Sequence, residues 1–272
     1  MKLSSILVAL DSSSGSKSML KAAAELANRT QAELRALYVE DIDWFEASKY
    51  QFTQQISSYT GSLIPFSEKH IIEQSRALDV AFQKMFATIS SQMRIKYSYH
   101  SVRGIVSKEL LEAASSVDLV MLGRRRSPGF YPGNVSSTTR YLFEQSTVPL
   151  IIWTNGSRWP SHFIGICSTS PKSKPTMRWT FVLGRIMERN VHLFFPADID
   201  LECHFQGKWN LEDTDDAHIT IDALKSLSKN LADFSPETLN RFRDALFVIQ
   251  RDETIFSTAD FLESVSRPML LL

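Results

Sequence analysis

Residues 118–122 (Asp-Leu-Val-Met-Leu) form an apolar run of strand length that opens directly onto Gly123 and three arginines, Arg124, Arg125 and Arg126. Thirteen residues past Gly123 (136 − 123), Ser136, Ser137 and Thr138 begin a segment with helical spacing. A buried strand, a glycine turn and a hydroxyl-rich helix start together make an anion cradle. Backbone N–H groups at the turn and the positive end of the helix can face one phosphate. Guanidinium groups add planar, fork-shaped donors that match phosphate oxygens. The plain alternative is a solvated loop charge cluster, and placement directly after a strand favours the phosphate reading.

Other residues offer less chemistry. Asp11 ends the first apolar run and either contacts a ligand, the favoured role, or caps the next helix. His192, Asp198, Asp200, Cys203 and His204 lie close in sequence but show no metal-ligand spacing, so no metal is expected. Neither a Walker A loop nor a Gly-x-Ser-x-Gly elbow is present, and no base is nominated for Ser12 to Ser14. Catalysis therefore has little support, and slow ATP hydrolysis ranks last.

The elements that must position these residues alternate. Residues 6–10 and 34–39 read as strands around an Ala-rich helix over 17–30. Further strands are expected at 97–102, 119–122 and 149–153, with helices at 106–116 and 137–145. A long helical tract is expected between, from Phe45 through Phe52, Ile56, Tyr59 and Leu63, broken at Gly61 and Pro65 and resuming from Ile71 to Met93. Its aromatic stripe reads as packing against the chain's own sheet or its other half; a lid or a subunit contact is the alternative. Residues 155–161 are polar with Gly and Pro and read as a linker. Beyond it come strands at 163–167, 191–195, 246–250 and 269–272 and helices at 176–188, 219–231, 239–244 and 259–265. This is a βαβ-built, mostly parallel α/β architecture whose element order reads as doubled. From Asp11 to Val39 is 28 residues (39 − 11), and from Ser168 to Pro196 is also 28 (196 − 168).

Bulk composition excludes several classes. The 272 residues are 43% hydrophobic and 22% charged, enough for two ordinary globular domains. Thirty basic residues balance thirty acidic ones, which argues against a nucleic-acid binder. Two cysteines without CxxC spacing point to a reducing, cytoplasmic setting. No apolar stretch approaches the ~20 residues of a membrane span.

Residues 6–11 (Ile-Leu-Val-Ala-Leu-Asp), 32–39 (Ala-Glu-Leu-Arg-Ala-Leu-Tyr-Val), 102–104 (Val-Arg-Gly), 118–123 and 148–152 (Val-Pro-Leu-Ile-Ile) resemble a universal stress protein domain. The match covers most of residues 1–154, apart from a helical insertion at about 42–66. Residues 162–272 resemble a degenerate second copy, so the whole is similar to the tandem members of the family. The resemblance implies two open parallel five-stranded sheets flanked by helices, with a pocket off the carboxyl ends of the strands. It also implies that ATP or another adenine nucleotide contacts Asp11, Val39, Leu122 and the loop from Gly123. ATP-binding members carry Gly-x-x-Gly, nine residues, then Gly-Ser or Gly-Thr. Here those positions are Gly123, Arg126, Ser136 and Ser137, so one glycine of three is kept. Arg126 either obstructs the triphosphate path or replaces backbone contacts with a guanidinium. In the second half the Asp position is Ser168. The stretch from Gln250 to Pro268 is also eight residues shorter than that from Gly123 to Pro149 (26 − 18), so no nucleotide is expected there. The resulting expectation is a non-enzymatic stress-response protein with a small anionic ligand, an unidentified regulatory partner and an optional homodimer. The alternative is an interaction module whose pocket is vestigial.

Overall fold

The structure, a computed structural model, describes residues 2–11, 13, 15–50, 52–56, 60–124, 136–154, 158–167, 173–196, 219–224, 242–251 and 267–272. The first half runs β1 (Ser5–Leu10), α1 (Ser16–Thr30), β2 (Glu33–Asp41), α2 (Ile42–Ser48), β3 (Gln54–Ile56), β4 (Leu63–Pro65), α3 (Glu68–Met93), β5 (Tyr97–Gly104), α4 (Val106–Ala114), β6 (Leu119–Gly123), α5 (Ser137–Gln145) and β7 (Leu150–Trp153). The second half contains β8 (His162–Ile166), α6 (Ser173–Met187), β9 (Asn190–Pro196), β10 (Ile219–Leu224), β11 (Ala245–Ile249) and β12 (Met269–Leu271).

The two expected five-stranded sheets are one sheet, ordered β10-β9-β8-β11-β12-β7-β6-β1-β2-β5. Pairing is parallel throughout except at the centre, where β12 and β7 run antiparallel with Leu270 opposite Ile151. That seam hides two strand edges that would otherwise be open templates for association. Read outward from the seam, both halves have the same strand order.

Both faces are covered, which explains the unbroken apolar strands. Ile6, Val8 and Leu10 point into a core built with α1, α3 and α6. Leu7 points the other way, with Val120 and Leu122, into a core built with α4 and α5. Buried alanines at 22, 23, 24 and 27 let α1 lie close on the sheet. Helix α3 is tied to the sheet by Tyr99, whose hydroxyl donates to Asp79 Oδ1 at 2.6 Å. Burial, then that hydrogen bond, holds the Tyr99 phenol well above its usual pKa.

Two further expectations fail. The tract at 42–66 is not a helical insertion: among its described residues only α2 is helical, and β3 and β4 pair as an antiparallel hairpin. Gly61, at φ 66°, supplies a left-handed turn residue between them. The aromatic stripe therefore scatters. Phe45 is buried, whereas Phe52 is 93% exposed, with Trp44, Tyr50, Ile56 and Leu63 also exposed. Packing onto the chain's own sheet does not describe that stripe. The helix expected at 219–231 instead begins as β10, paired in parallel with β9. Its Ile-Thr-Ile opening is β-branched, and the pairing offered by β9 prevails over an apolar spacing that both structures share. The helices expected at 239–244 and 259–265 lie largely or wholly outside the described residues.

The segment between the halves is anchored. Trp159 is buried between Trp153 and Phe163, with ring centroids 5.0 Å and 6.0 Å away. Its indole N–H donates to the Ala22 carbonyl at 3.0 Å.

Candidate functional site

Strand register assembles much of the expected site. β1 and β2 pair with Ser5 opposite Glu33 and Leu10 opposite Tyr38. One more step sets Asp11 level with Val39. β1 and β6 pair with Val8 opposite Met121, and the same register carried on sets Asp11 level with Arg124. The Arg124 N–H donates to the Trp153 carbonyl at 2.7 Å, extending the ladder one residue past Gly123. Asp11, Val39, Leu122, Gly123 and Arg124 thus share one end of three adjacent strands, the end where open α/β sheets bind ligands.

Each residue has a distinct environment. Asp11 Oδ1 accepts from the Ser13 N–H at 3.0 Å, the Ser13 hydroxyl at 2.5 Å and the Ser16 hydroxyl at 2.6 Å. That oxygen orders the turn before α1 without capping the helix, whose N-cap is Gly15 and has no side-chain cap hydrogen bond. Val39 is almost fully buried in the core on the α4 side. Leu122 is likewise a core residue, so both present backbone rather than side chain to the strand end. Among the described residues, a Cβ added at Gly123 would meet only Met19, at 3.8 Å from Sδ. Packing against those residues therefore does not demand glycine there.

Ser136 is the N-cap of α5, its hydroxyl accepting from the Thr139 N–H at 3.1 Å. Helix α5 carries no acid in its first turn. Its positive end is therefore not neutralised from within the helix. Ser137 is exposed and Thr138 half-buried in that first turn. Arg125 and Arg126 lie outside the described residues, as does the loop to residue 135.

Sequence reasoning missed the wall of this end of the sheet. Arg103 makes a two-pronged ion pair with Glu40, at 2.9 Å from both Nε and Nη2. Its guanidinium stacks 3.8 Å from the Phe45 ring centroid. This clamp fixes α2 beyond β2 and β5, and no local spacing in the sequence signals it.

A separate cleft of about 460 Å³ lies on the flank between α4 and the β2–β5 edge, lined by Arg35, His100, Glu109 and Glu112 among others. It contains none of the expected site residues. Of the cluster weighed for metal, only His192 is described. Its Nε2 lies 3.0 Å from His162 Nδ1, and the pair packs on Phe242.

An open, mostly parallel sheet with helices on both faces defines a doubly wound α/β protein. A family model described as the universal stress protein family matches residues 2–153, and the chain belongs to that family. The fold is similar to that of a universal stress protein from Archaeoglobus fulgidus DSM 4304. The TM-score is 0.71 at 12% identity, over 98% of this chain and 97% of that one. It is also similar to a Pseudomonas aeruginosa PAO1 protein described as functionally unknown, with a TM-score of 0.62 at 12% identity over 99% of this chain and 92% of that one. At such identities the likeness is one of fold alone. No curated protein matches this chain. Among the described residues, no helix is long and apolar enough to cross a membrane.

Proposed function

We propose that the first half of the chain, residues 1–154, binds a small phosphate-bearing ligand, ATP or another adenine nucleotide, off the ends of β2, β1 and β6. In this reading the protein acts in stress response through ligand-dependent contacts with a regulatory partner, without catalysis and without a metal. Residues 162–272 are then a degenerate second copy joined through 155–161, holding no nucleotide. The mirrored strand order supports that division. The observation that carries the ligand reading is the register that sets Asp11, Val39 and Arg124 level on adjacent strands. Three neighbouring strands span about 10 Å, room for a nucleoside laid across them. Phosphates would meet the N–H groups opening α5 and the guanidinium groups of Arg124 to Arg126.

Isothermal titration with ATP, AMP and inorganic phosphate tests this. A saturable heat with ATP is expected, about tenfold weaker in Asp11→Asn, the weight of one charge-assisted hydrogen bond. No heat with any of the three in the folded protein removes the ligand reading.

One observation favours a second reading, an interaction module with a vestigial pocket. Asp11 Oδ1 is engaged by its own turn, while exposed apolar side chains gather on α2 and the hairpin. Under it, Asp11→Asn lowers stability and changes no affinity for ATP.

A further inference from the structure

Arg251 stands in the second half where Arg124 stands in the first. Each follows the strand next to the seam strand, and each donates its N–H to a carbonyl at the carboxyl end of its seam strand. Arg124 donates to the Trp153 carbonyl, and Arg251 to the Leu272 carbonyl, both at 2.7 Å. Their side chains meet different surroundings because β12 and β7 are antiparallel. The carboxyl end of β11 and β12 lies beside the amino end of β7, where Leu271 faces Leu150. The Arg251 side chain therefore crosses the seam into the first half. Its guanidinium donates to the carbonyls of Ser146 and Val148, the latter at 2.7 Å. The Phe143 ring lies 5.6 Å away.

Ser146 is the C-cap of α5, and that helix has no basic residue in its last turn. Helix ends leave carbonyls without intrahelical partners and carry partial negative charge. The cation that answers them here comes from the other half of the molecule. Burial pulls the Arg251 pKa down to about 10, still far enough above neutrality to keep the charge. The opposite end of the same helix is the Ser136 cap beside the ligand crevice. Nine residues at 1.5 Å each make α5 about 13 Å long, so an axial shift at one end reappears at the other.

We propose that Arg251 is a positioning residue for the anion site: by pinning the carboxyl end of α5 from across the seam, it sets where the helix's amino end meets the ligand. This rests on the ligand reading above and assigns the second half a part in it. Coupling of this kind is reciprocal. A ligand that orders the start of α5 also tightens the seam.

The test compares the full-length protein with Arg251→Met, Arg251→Lys and Arg29→Ala. The last is the control: Arg29 also bridges the halves, donating to the Ile186 carbonyl at 3.0 Å and pairing with Glu188 at 3.3 Å, but touches no part of α5. ATP and inorganic phosphate affinities are read by titration, and amide exchange is read helix by helix. Arg251→Met is expected to weaken ATP binding about tenfold, within the usual range of site-to-site coupling. It should also speed exchange in α5 while leaving α1 and α4 alone. Arg251→Lys, which keeps the charge without the fork, should fall between; Arg29→Ala should change neither. Unaltered affinity and α5 exchange in Arg251→Met overturns the proposal, as does an equal loss of affinity in Arg29→Ala. Should Arg251→Met not fold, Arg251→Lys decides, and wild-type affinity and exchange in it overturn the proposal. Should the wild type bind neither ATP nor phosphate, the ligand reading falls by itself. Faster α5 exchange in Arg251→Met would then still sustain the pin, and unchanged exchange would overturn it.

Discussion

Cys167 follows β8 and is buried there, with its thiol pushed up to about 12 by loss of water around the thiolate. In the folded protein it keeps its proton where the unfolded chain has lost it, between the ordinary value of 9.0 and about 12. The unfolded state then binds fewer protons, so stability falls as pH rises through that window. The ceiling on this contribution is about 4 kcal/mol, from roughly 1.4 kcal/mol for each pH unit between the two values. Denaturation midpoints measured from pH 8 to 11 should decline more steeply in the wild type than in Cys167→Ala. Parallel curves would show that the thiol is not sheltered. At this scale sequence is a fair guide wherever a residue acts within its own half. Asp11, Val39 and Arg124 can be nominated from strand ends because parallel register does the rest. Trp159 and Arg251 cannot, since each works on a partner more than one hundred residues away (159 − 22 and 251 − 148). Nothing in local spacing encodes such a partner.

Among the elements, α5 is legible to the residue, because hydroxyls at its start and Pro149 beyond its end punctuate it on both sides. The tract at 42–66 is not. A seven-residue step from Phe45 to Phe52 suits a helix, yet α2 stops at Ser48 and Phe52 belongs to the approach to the hairpin. Apolar spacing without burial is a weak signal, and these side chains have little core beneath them. Two substitutions separate the wall from the crest. Phe45→Ala removes a buried ring together with the Arg103 stack and should cost about 3–4 kcal/mol. Phe52→Ser should stay within about 0.5 kcal/mol of the wild type. Chemical denaturation of both checks this, and an equal loss in the two would mean that the hairpin packs in solution. The strand at 219–224 escapes a sequence reading for a related reason. Its partner β9 lies in a separate stretch of chain, and sheet pairing decides between two conformations that local pattern leaves nearly equal.

For the whole molecule, the seam is the controlling feature. Each half leaves one strand edge uncovered, and each supplies the cover for the other through Ile151, Ile152, Leu270 and Met269, all buried. A chain ending at residue 154 would expose β7 and the apolar faces that meet β12. It should therefore associate with itself rather than remain monomeric, as light scattering after size exclusion would reveal; a stable monomer would count against the seam as a structural necessity. Mostly parallel sheets and their flanking helices are legible from the alternation of apolar runs. Fusion into one sheet is not, because the sequence of an edge strand does not say what will lie beside it.

The indoles of Trp153 and Trp159 stand 5.0 Å apart at an angle of 64°. At that separation their electronic transitions mix, and the pair acts as one chiral chromophore. Trp153 is also the ladder partner of Gly123, so the dyad sits one strand from the glycine at the crevice mouth. Near-ultraviolet circular dichroism of the unmodified protein therefore carries a native optical gauge of whether the two halves stay locked together when ATP is titrated in.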